Sequence, residues 1–325
     1  MTASPTSTID VSVIIPAWKA AGFIERAVTS ALASTGASVQ VVVVDDASAD
    51  FTFNVISRLA EEDPRVIADR LPTNGGPSAA RNRAIELSGG RYIAILDADD
   101  TMAPGRLAAL VAHADSTGAD IVVDNMVEVD EAGRQIGAAR FLKSEAFAAA
   151  REIDLETWVA FNHPMKAGDC LGYLKPLFRL SKLEETHAAY DTCLRNSEDY
   201  YFVAHLLAGG ARMSFVPEAA YNYQRSVTST SHRLQPWQTK AWLDAEQRFR
   251  RRFTGLFSEA QTVALDKRGR ILRNVHGFVS AVEAVKERKV GELFGVLTSD
   301  LRASMFTLGT LAKIAMGKAL RRKLV

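Results

Sequence analysis

Cysteine is nearly missing from this chain of 325 residues: Cys170 and Cys193 are the only two, and neither stands in a CxxC pair or a Cys/His cluster. That leaves no case for a disulfide framework or a thiolate metal site, and both read as buried thiols in a reducing compartment. Long apolar runs are missing too. None approaches the ~18 residues needed to span a bilayer, and the polar start MTASPTSTID lacks the apolar centre of a secretory signal. A cytoplasmic protein is the expectation. Neither sign of charge dominates: 39 basic against 38 acidic side chains leave a net +1, which gives no argument for nucleic acid as a partner. Finally, neither GxxxxGKS nor GxGxxG occurs, and the turn after the first apolar segment reads PAWKAAG. A nicotinamide-dependent oxidoreductase needs a glycine-rich turn there, which this chain does not supply.

What the chain does have is RYIAILDADD, residues 91–100. Residues 92–96 form a short apolar run with β-formers, suited to a buried parallel strand, and it ends in Asp97, Asp99 and Asp100. Carboxylates so close repel one another unless a cation or backbone donors neutralise them. The end of a buried strand is also where open α/β sheets place their ligands. In this reading Asp97 and Asp99 both reach one ion, while Asp100 or Thr101 caps a helix beginning near Pro104.

Hydrophobic patterning predicts strands at 11–15, closed by Pro16, at 39–44, ended by Asp45 and Asp46, and at 65–69, 92–96 and 119–124. Helices are predicted at 20–34, 51–61, 77–88 and 104–116, the first with an apolar stripe of Phe23, Ile24, Ala27, Val28, Ala31 and Leu32. Such alternation argues an α/β fold, Rossmann-like, with a mostly parallel sheet flanked by helices and wound by right-handed crossovers. It would set Pro16, Asp45 and Asp46, and Asp97 and Asp99 along one sheet edge. VEVDEAGRQIG then suggests a hairpin, residues 143–190 are mixed, 196–207 are helical, and 213–216 and 220–225 read as two short strands. From Pro236 the pattern is helical throughout, at 237–253 and 258–287. The expected organisation is a disordered tail at 1–10, a main domain at 11–234 and a helical C-terminal region at 235–325. Residues 305–325 mix Leu308, Leu311 and Ile314 with Lys313, Lys318, Arg321, Arg322 and Lys323. This basic amphipathic tail either lies on an anionic membrane surface, at about 1 kcal/mol per basic residue, or packs on the body with a solvated basic face.

VSVIIPAWKA, VVVVDDASAD, GGPSAARNRAIELSGGRYIAILDADD and NSEDYYF, in that order and spacing, resemble the family 2 inverting glycosyltransferases of the GT-A fold. The resemblance covers residues 11–230. Its flavour is that of bacterial exopolysaccharide glucosyltransferases of the succinoglycan type, which share a helical C-terminal extension. It implies transfer of a sugar, glucose first among candidates, from a UDP-sugar to a saccharide acceptor, a lipid-linked oligosaccharide at the inner face of the cell membrane. Single displacement would give a β-linkage from an α-linked donor.

The resemblance also implies roles. A divalent ion, Mg²⁺ or Mn²⁺, would bridge the phosphates and stabilise the leaving diphosphate, with Asp99 as its hard oxygen ligand and Asp97 facing the donor ribose or the ion's water shell. Asp46 would accept uracil N3–H, and Pro16, Ala17 and Trp18 would line the other side of the base; Ala17 stands where some relatives carry a hydroxyl. Arg81, in ARN, would face the nucleotide or pair with Asp46 or Asp97. Asp199 would be the general base that takes the acceptor's proton, against a plainer reading in which Ser197 caps a helix and Glu198 and Asp199 complement its dipole. Gly75 and Gly76 invite only a weak phosphate-loop reading. Arg225 and His232, in YNYQRSVTSTSH, either contact phosphate or metal or belong to a polar loop. Two other readings share the sheet: a sugar nucleotidylyltransferase, which should show glycine and basic residues in the first loop, and a non-catalytic saccharide-binding protein.

Overall fold

Valine-rich and isoleucine-rich strands form the centre of the computed structural model, which describes residues 9–164, 168–225, 234–299, 305 and 307–309. The chain divides into two units, Met1–Phe161 with Gly168–Ser229 and Asn162–Ala167 with Thr230–Val325. In the first, β1 (Val11–Ala17), α1 (Ile24–Leu32), β2 (Val39–Asp45), α2 (Thr52–Glu62), β3 (Val66–Arg70), α3 (Pro77–Glu86) and β4 (Tyr92–Ile95) alternate. β1 pairs in parallel with β2 and β4, and β2 with β3. The unit continues through β5 (Thr101–Met102), α4 (Arg106–Thr117), β6 (Ile121–Val129), β7 (Arg151–Ile153), α5 (Leu155–Ala160), β8 (Leu177–Arg179), α6 (Leu180–Thr186), α7 (Glu198–Ala208) and β9 (Met213–Gln224).

The sheet order is β3-β2-β1-β4-β8-β6-β9-β5, with β7 on β9. β8 is antiparallel to both β4 and β6, whereas β6 and β9 run parallel. Val11, Val13, Ile14 and Ile15 of β1 and Val41 to Val44 of β2 are all fully buried, as continuous apolar strands covered on both faces must be. Ile24, Ala27, Val28 and Ala31 form the buried stripe of α1, while Phe23 is exposed.

Several local expectations give way to tertiary contacts. α1 begins at Ile24 because residues 20–23 form a turn, with the Phe23 amide on the Ala20 carbonyl. α4 begins at Arg106, and its N-cap Gly105 offers no side chain. Asp100 and Thr101 are not caps: Thr101 pairs with Asn222 across β5 and β9, and the Asp100 carboxylate accepts from Tyr221 Oη at 2.6 Å and the Gln224 amide at 2.7 Å. The expected hairpin shrinks to a turn closed by one antiparallel bridge between Val129 and Gln135. The two strands expected at 213–216 and 220–225 are one, β9, which takes up Pro217 through register shifts against Asp124, Asn125 and Met126 of β6. Neither cysteine is buried as expected: Cys170 is half-buried and Cys193 exposed.

The second unit holds α8 (Pro236–Arg252), α9 (Glu259–Lys286) and α10 (Val290–Ser299). Reciprocal capping boxes, Gln235 with Gln238 and Ser258 with Gln261, open α8 and α9. Trp242, Phe249, Leu265, Leu272 and Val275 are buried in it, and α9 packs against both other helices. The basic tail at 305–325 lies outside the described residues except for 305 and 307–309, as does His232.

One buried ion pair ties a helix to the sheet. Arg106 of α4 and Asp124 of β6, side chains 1% and 3% exposed, meet through Nε at 2.9 Å and Nη2 at 2.7 Å. Nη2 also donates to the Lys175 carbonyl just before β8. Losing one partner of such a pair strands the other charge in the core. Asp124→Ala should therefore lower unfolding stability by about 3–5 kcal/mol, read as a lower urea midpoint at unchanged slope.

Candidate active site

Parallel register brings the predicted strand ends together. Ala17 lies opposite Asp45, the Asp46 amide donates to the Ala17 carbonyl at 2.8 Å, and the Leu96 amide to the Ile14 carbonyl at 3.1 Å. Pro16, Ala17, Asp46 and Asp97 thus share one edge of the sheet. Lys19 and Ala47, on the loops leaving that edge, adopt left-handed backbone at φ 51° and 53°. Such conformations cost non-glycine residues free energy and gather at functional sites. Trp18 is half-exposed beside them.

Asp46 is buried and accepts three hydrogen bonds, from Asn74 Nδ2 at 2.8 Å, the Gly75 amide at 2.6 Å and the Gly76 amide at 2.8 Å. The glycine pair therefore grips a carboxylate of this chain, which displaces the phosphate-loop reading. Glycine is required at both positions. A Cβ at Gly75 would stand 2.6 Å from the Ala79 Cβ, and Gly76 has φ +83° with the Arg195 guanidinium against it.

A second group of residues meets one strand further along. Arg81 of α3, its side chain only 4% exposed, reaches Glu198 at 2.7 Å, Asp97 at 3.1 Å and Asp199 at 3.5 Å. Lys175 Nζ lies 2.7 Å from Asp97 and 3.8 Å from Asp199. Of the partners expected for Arg81, the structure gives Asp97 and not Asp46. Burial opposes the charge on Arg81, yet Asp199, Asp97 and Glu198 outweigh it and hold its pKa well above the ordinary value. Burial likewise works against an ionised Asp97, but Lys175 and Arg81 hold its carboxyl well below the usual range. Burial and Asp199 raise the pKa of Glu198. Ser197 has left-handed backbone at φ 62° and makes no side-chain cap bond, so it is not the cap that the plainer reading expects, while Glu198 and Asp199 stand in the first turn of α7.

Asp97 spends one oxygen on Arg81 and the other on Lys175, whereas Asp100 is held by Tyr221 and the Gln224 amide and the Asp99 carboxylate makes no ion pair among the described residues. Burial and then Asp97 raise its pKa, so added positive charge there would be favourable. No cluster of three or more metal-binding side chains exists among the described residues. A hard cation would take an oxygen of Asp99 together with phosphate and water oxygens, the mode that Mg²⁺ uses at phosphate sites. The Asp99 carbonyl accepts from Arg26 Nη2 at 3.0 Å, and a cavity of ≈ 200 Å³ opens beside it, lined by Arg26, Thr101, Glu131, Asn222 and Gln224. Asp100 is pushed up to about 8 by burial and by Asp97 and Asp99. Arg225 sits 3.5 Å from Glu128.

Sequence reasoning missed Lys175, Arg26, Tyr221 and the pairing of Glu198. Lys175 follows LGYL in a stretch without clear period. Its one sequence signal is a lysine among apolar neighbours, which calls for a buried partner.

The chain belongs to glycosyl transferase family 2, whose family model matches residues 12–180. Among curated relatives it is 36% identical over 293 residues to the succinoglycan biosynthesis protein ExoO of Rhizobium meliloti, covering 90% of this chain and 82% of that protein. It is 39% identical over 223 residues to ExoU of the same organism, covering 67% of this chain and 62% of that one. The fold is similar to that of S. aureus TarS residues 1–349 in complex with UDP, with a TM-score of 0.62 at 20% identity over 85% of this chain and 74% of that one. It is also similar to that of the mannosyltransferase PcManGT from Pyrobaculum calidifontis in complex with GDP-Man and Mn²⁺, with a TM-score of 0.58 at 19% identity over 98% of this chain and 84% of that one. The GT-A architecture and the glycosyltransferase class expected from the motifs are thereby established. No helix among the described residues is long and apolar enough to cross a membrane.

Replacing Arg81 by methionine leaves Asp97, Glu198 and Asp199 with Lys175 alone. Stability at pH 7 should fall by about 3–5 kcal/mol. A carboxyl whose folded pKa is depressed contributes stability above its unfolded value, near 3.8 for Asp97, and loses it as pH falls towards the folded one. The gap between wild type and Arg81→Met should therefore narrow below that pH in urea titrations run from pH 7 to pH 3.

Proposed function

We propose that this chain transfers a sugar with inversion from a UDP-sugar, UDP-glucose first among them, to a lipid-linked saccharide in the assembly of an exopolysaccharide of the succinoglycan type. The observation that carries the reading is the buried network in which Arg81 and Lys175 join Asp97, at the donor edge of the sheet, to Asp199 at the start of α7. The names of ExoO and ExoU support the polysaccharide, and the UDP and UDP-GlcNAc complexes of TarS support the donor class.

Asp199 accepts the proton of the acceptor hydroxyl as its oxygen attacks the anomeric carbon. The bond from that carbon to the phosphate oxygen breaks, its electron pair leaves with UDP, and attack from the opposite face inverts an α-linked donor to a β-product. Asp46 accepts the uracil N3–H, with Pro16 and Ala17 on the other side of the base, and Arg81 and Asp97 flank the donor. Asp99 would hold an Mg²⁺ or Mn²⁺ ion, which would supply neutralising charge to the leaving diphosphate. The Mn²⁺ in the PcManGT complex supports such an ion. In this proposal residues 11–234 are the glycosyltransferase domain, 235–325 a helical addition, and the protein is cytoplasmic, touching the inner face of the membrane through the basic tail at 305–325. A non-catalytic saccharide-binding reading is weaker, because Asp46, Asp97, Asp99 and Asp199 are all present, and a chain relieved of chemistry has no need to keep so costly a clustering of acids.

Incubating the protein with a panel of nucleotide sugars and Mn²⁺, and following the nucleotide released slowly without acceptor, tests the donor: UDP from UDP-glucose is expected, and release only from non-uridine donors refutes it. Asp199→Asn should lower transfer by about 10²–10⁴-fold while UDP binding, read by calorimetry, survives; retained transfer would remove the base assignment. Asp99→Ala should abolish the gain in UDP affinity that Mn²⁺ gives, and identical titrations with and without Mn²⁺ in wild type and variant would take Asp99 out of the metal site.

A further inference from the structure

Lysine is an expensive residue to bury, and Lys175 is only 8% exposed. Its place is built rather than accidental. β8 runs antiparallel to β4 with Leu177 opposite Ala94, so the residues before β8 lie beside those that follow β4. Arg106 holds the Lys175 carbonyl, and the Pro176 carbonyl accepts from the Ile95 amide at 3.4 Å. The backbone on either side of the side chain is therefore tied to the sheet two residues before Asp97.

The two acids that Lys175 faces are held differently. Asp97 takes both cations at short range, Lys175 at 2.7 Å and Arg81 at 3.1 Å, and works as the anchor. Asp199 sees the same two cations at 3.8 and 3.5 Å, beyond the usual reach of a hydrogen bond. Such distances keep a Coulomb pull on the carboxylate and leave its lone pairs open to a proton donor. The charged and titratable groups around Asp199 are Arg81 from α3, Lys175 ahead of β8, Asp97 after β4, Tyr190 in the loop before α7, and Glu198 beside it on α7.

We propose that Lys175 is a positioning residue for Asp199, anchored on Asp97 so that its ammonium keeps the Asp199 carboxylate turned to the donor side and ready to accept a proton. The inference rests on the reading of Asp199 as the base. The energetics agree with it. Burial lowers the tendency of Lys175 to carry charge, and Asp97 and Asp199 together outweigh burial and hold its pKa above the ordinary value. Arg81 lies a little nearer Asp199, at 3.5 Å against 3.8 Å, but divides its charge among Glu198, Asp97 and Asp199, whereas Lys175 serves Asp97 and Asp199 alone.

The test asks what the lysine charge does to turnover. Lys175→Gln and Lys175→Arg are made in the full-length protein, circular dichroism confirms the fold of each, and Lys175→Met replaces Lys175→Gln if the latter unfolds. With the donor that turns over in the panel, kcat of Lys175→Gln should fall by about 10²-fold with the donor KM little changed, and Lys175→Arg, which keeps the charge, should restore most of it. A raised KM at unchanged kcat, or a loss of kcat that Lys175→Arg shares in full, overturns the inference while the base assignment stands. Full transfer by Asp199→Asn instead overturns the base assignment, whatever Lys175 does.

Discussion

Two buried cations hold this site together. Asp97, Glu198 and Asp199 come from two separate parts of the chain, and carboxylates this close drive one another toward protonation or apart. Arg81 and Lys175 oppose that tendency, and reverse it at Asp97, by giving each acid at least one positive neighbour within 4 Å. The cost of taking such charges out of water is repaid only while every partner is present. The network is therefore more a device for placing groups than a source of stability.

The sheet makes that meeting possible. Parallel pairing of β1, β2 and β4 brings their carboxyl ends to one edge, where Asp46 and Asp97 leave the strands. A single antiparallel insertion, β8, then returns the chain so that a lysine arrives at the same edge. Arg106 links the two levels, since the guanidinium that pairs with Asp124 inside the sheet also holds the carbonyl of Lys175. Long-range pairing of β9 with β5 does similar work for the acidic loop. Tyr221 Oη accepts from the Asp97 amide at 3.1 Å and donates to Asp100 at 2.6 Å.

Much of this was legible in the amino-acid order. Strands buried on both faces have no choice but to be apolar throughout, so β1, β2 and β4 declare themselves, and the acids that interrupt them mark the edge. The helices at 77–88 and 196–207 were readable from the residues that bound them, and the resemblance to family 2 glycosyltransferases marked Arg81 and Asp199 on them. What the sequence concealed depends on partners distant along the chain. Asp100 has the look of a local cap, and it became a buried acceptor because Tyr221 and Gln224 arrive from β9. Pro217 has the look of a strand break, and β9 passes through it because β6 tolerates a shifted register. Lys175 has no periodic neighbours to frame it, and its meaning appears only when β8 is laid beside β4.

The grip of Asn74, Gly75 and Gly76 on Asp46 has a consequence for the loop that carries them. Its donors are already committed to an internal carboxylate. A ligand of Asp46 would meet a loop already fixed, so little loop entropy would remain to be surrendered on association.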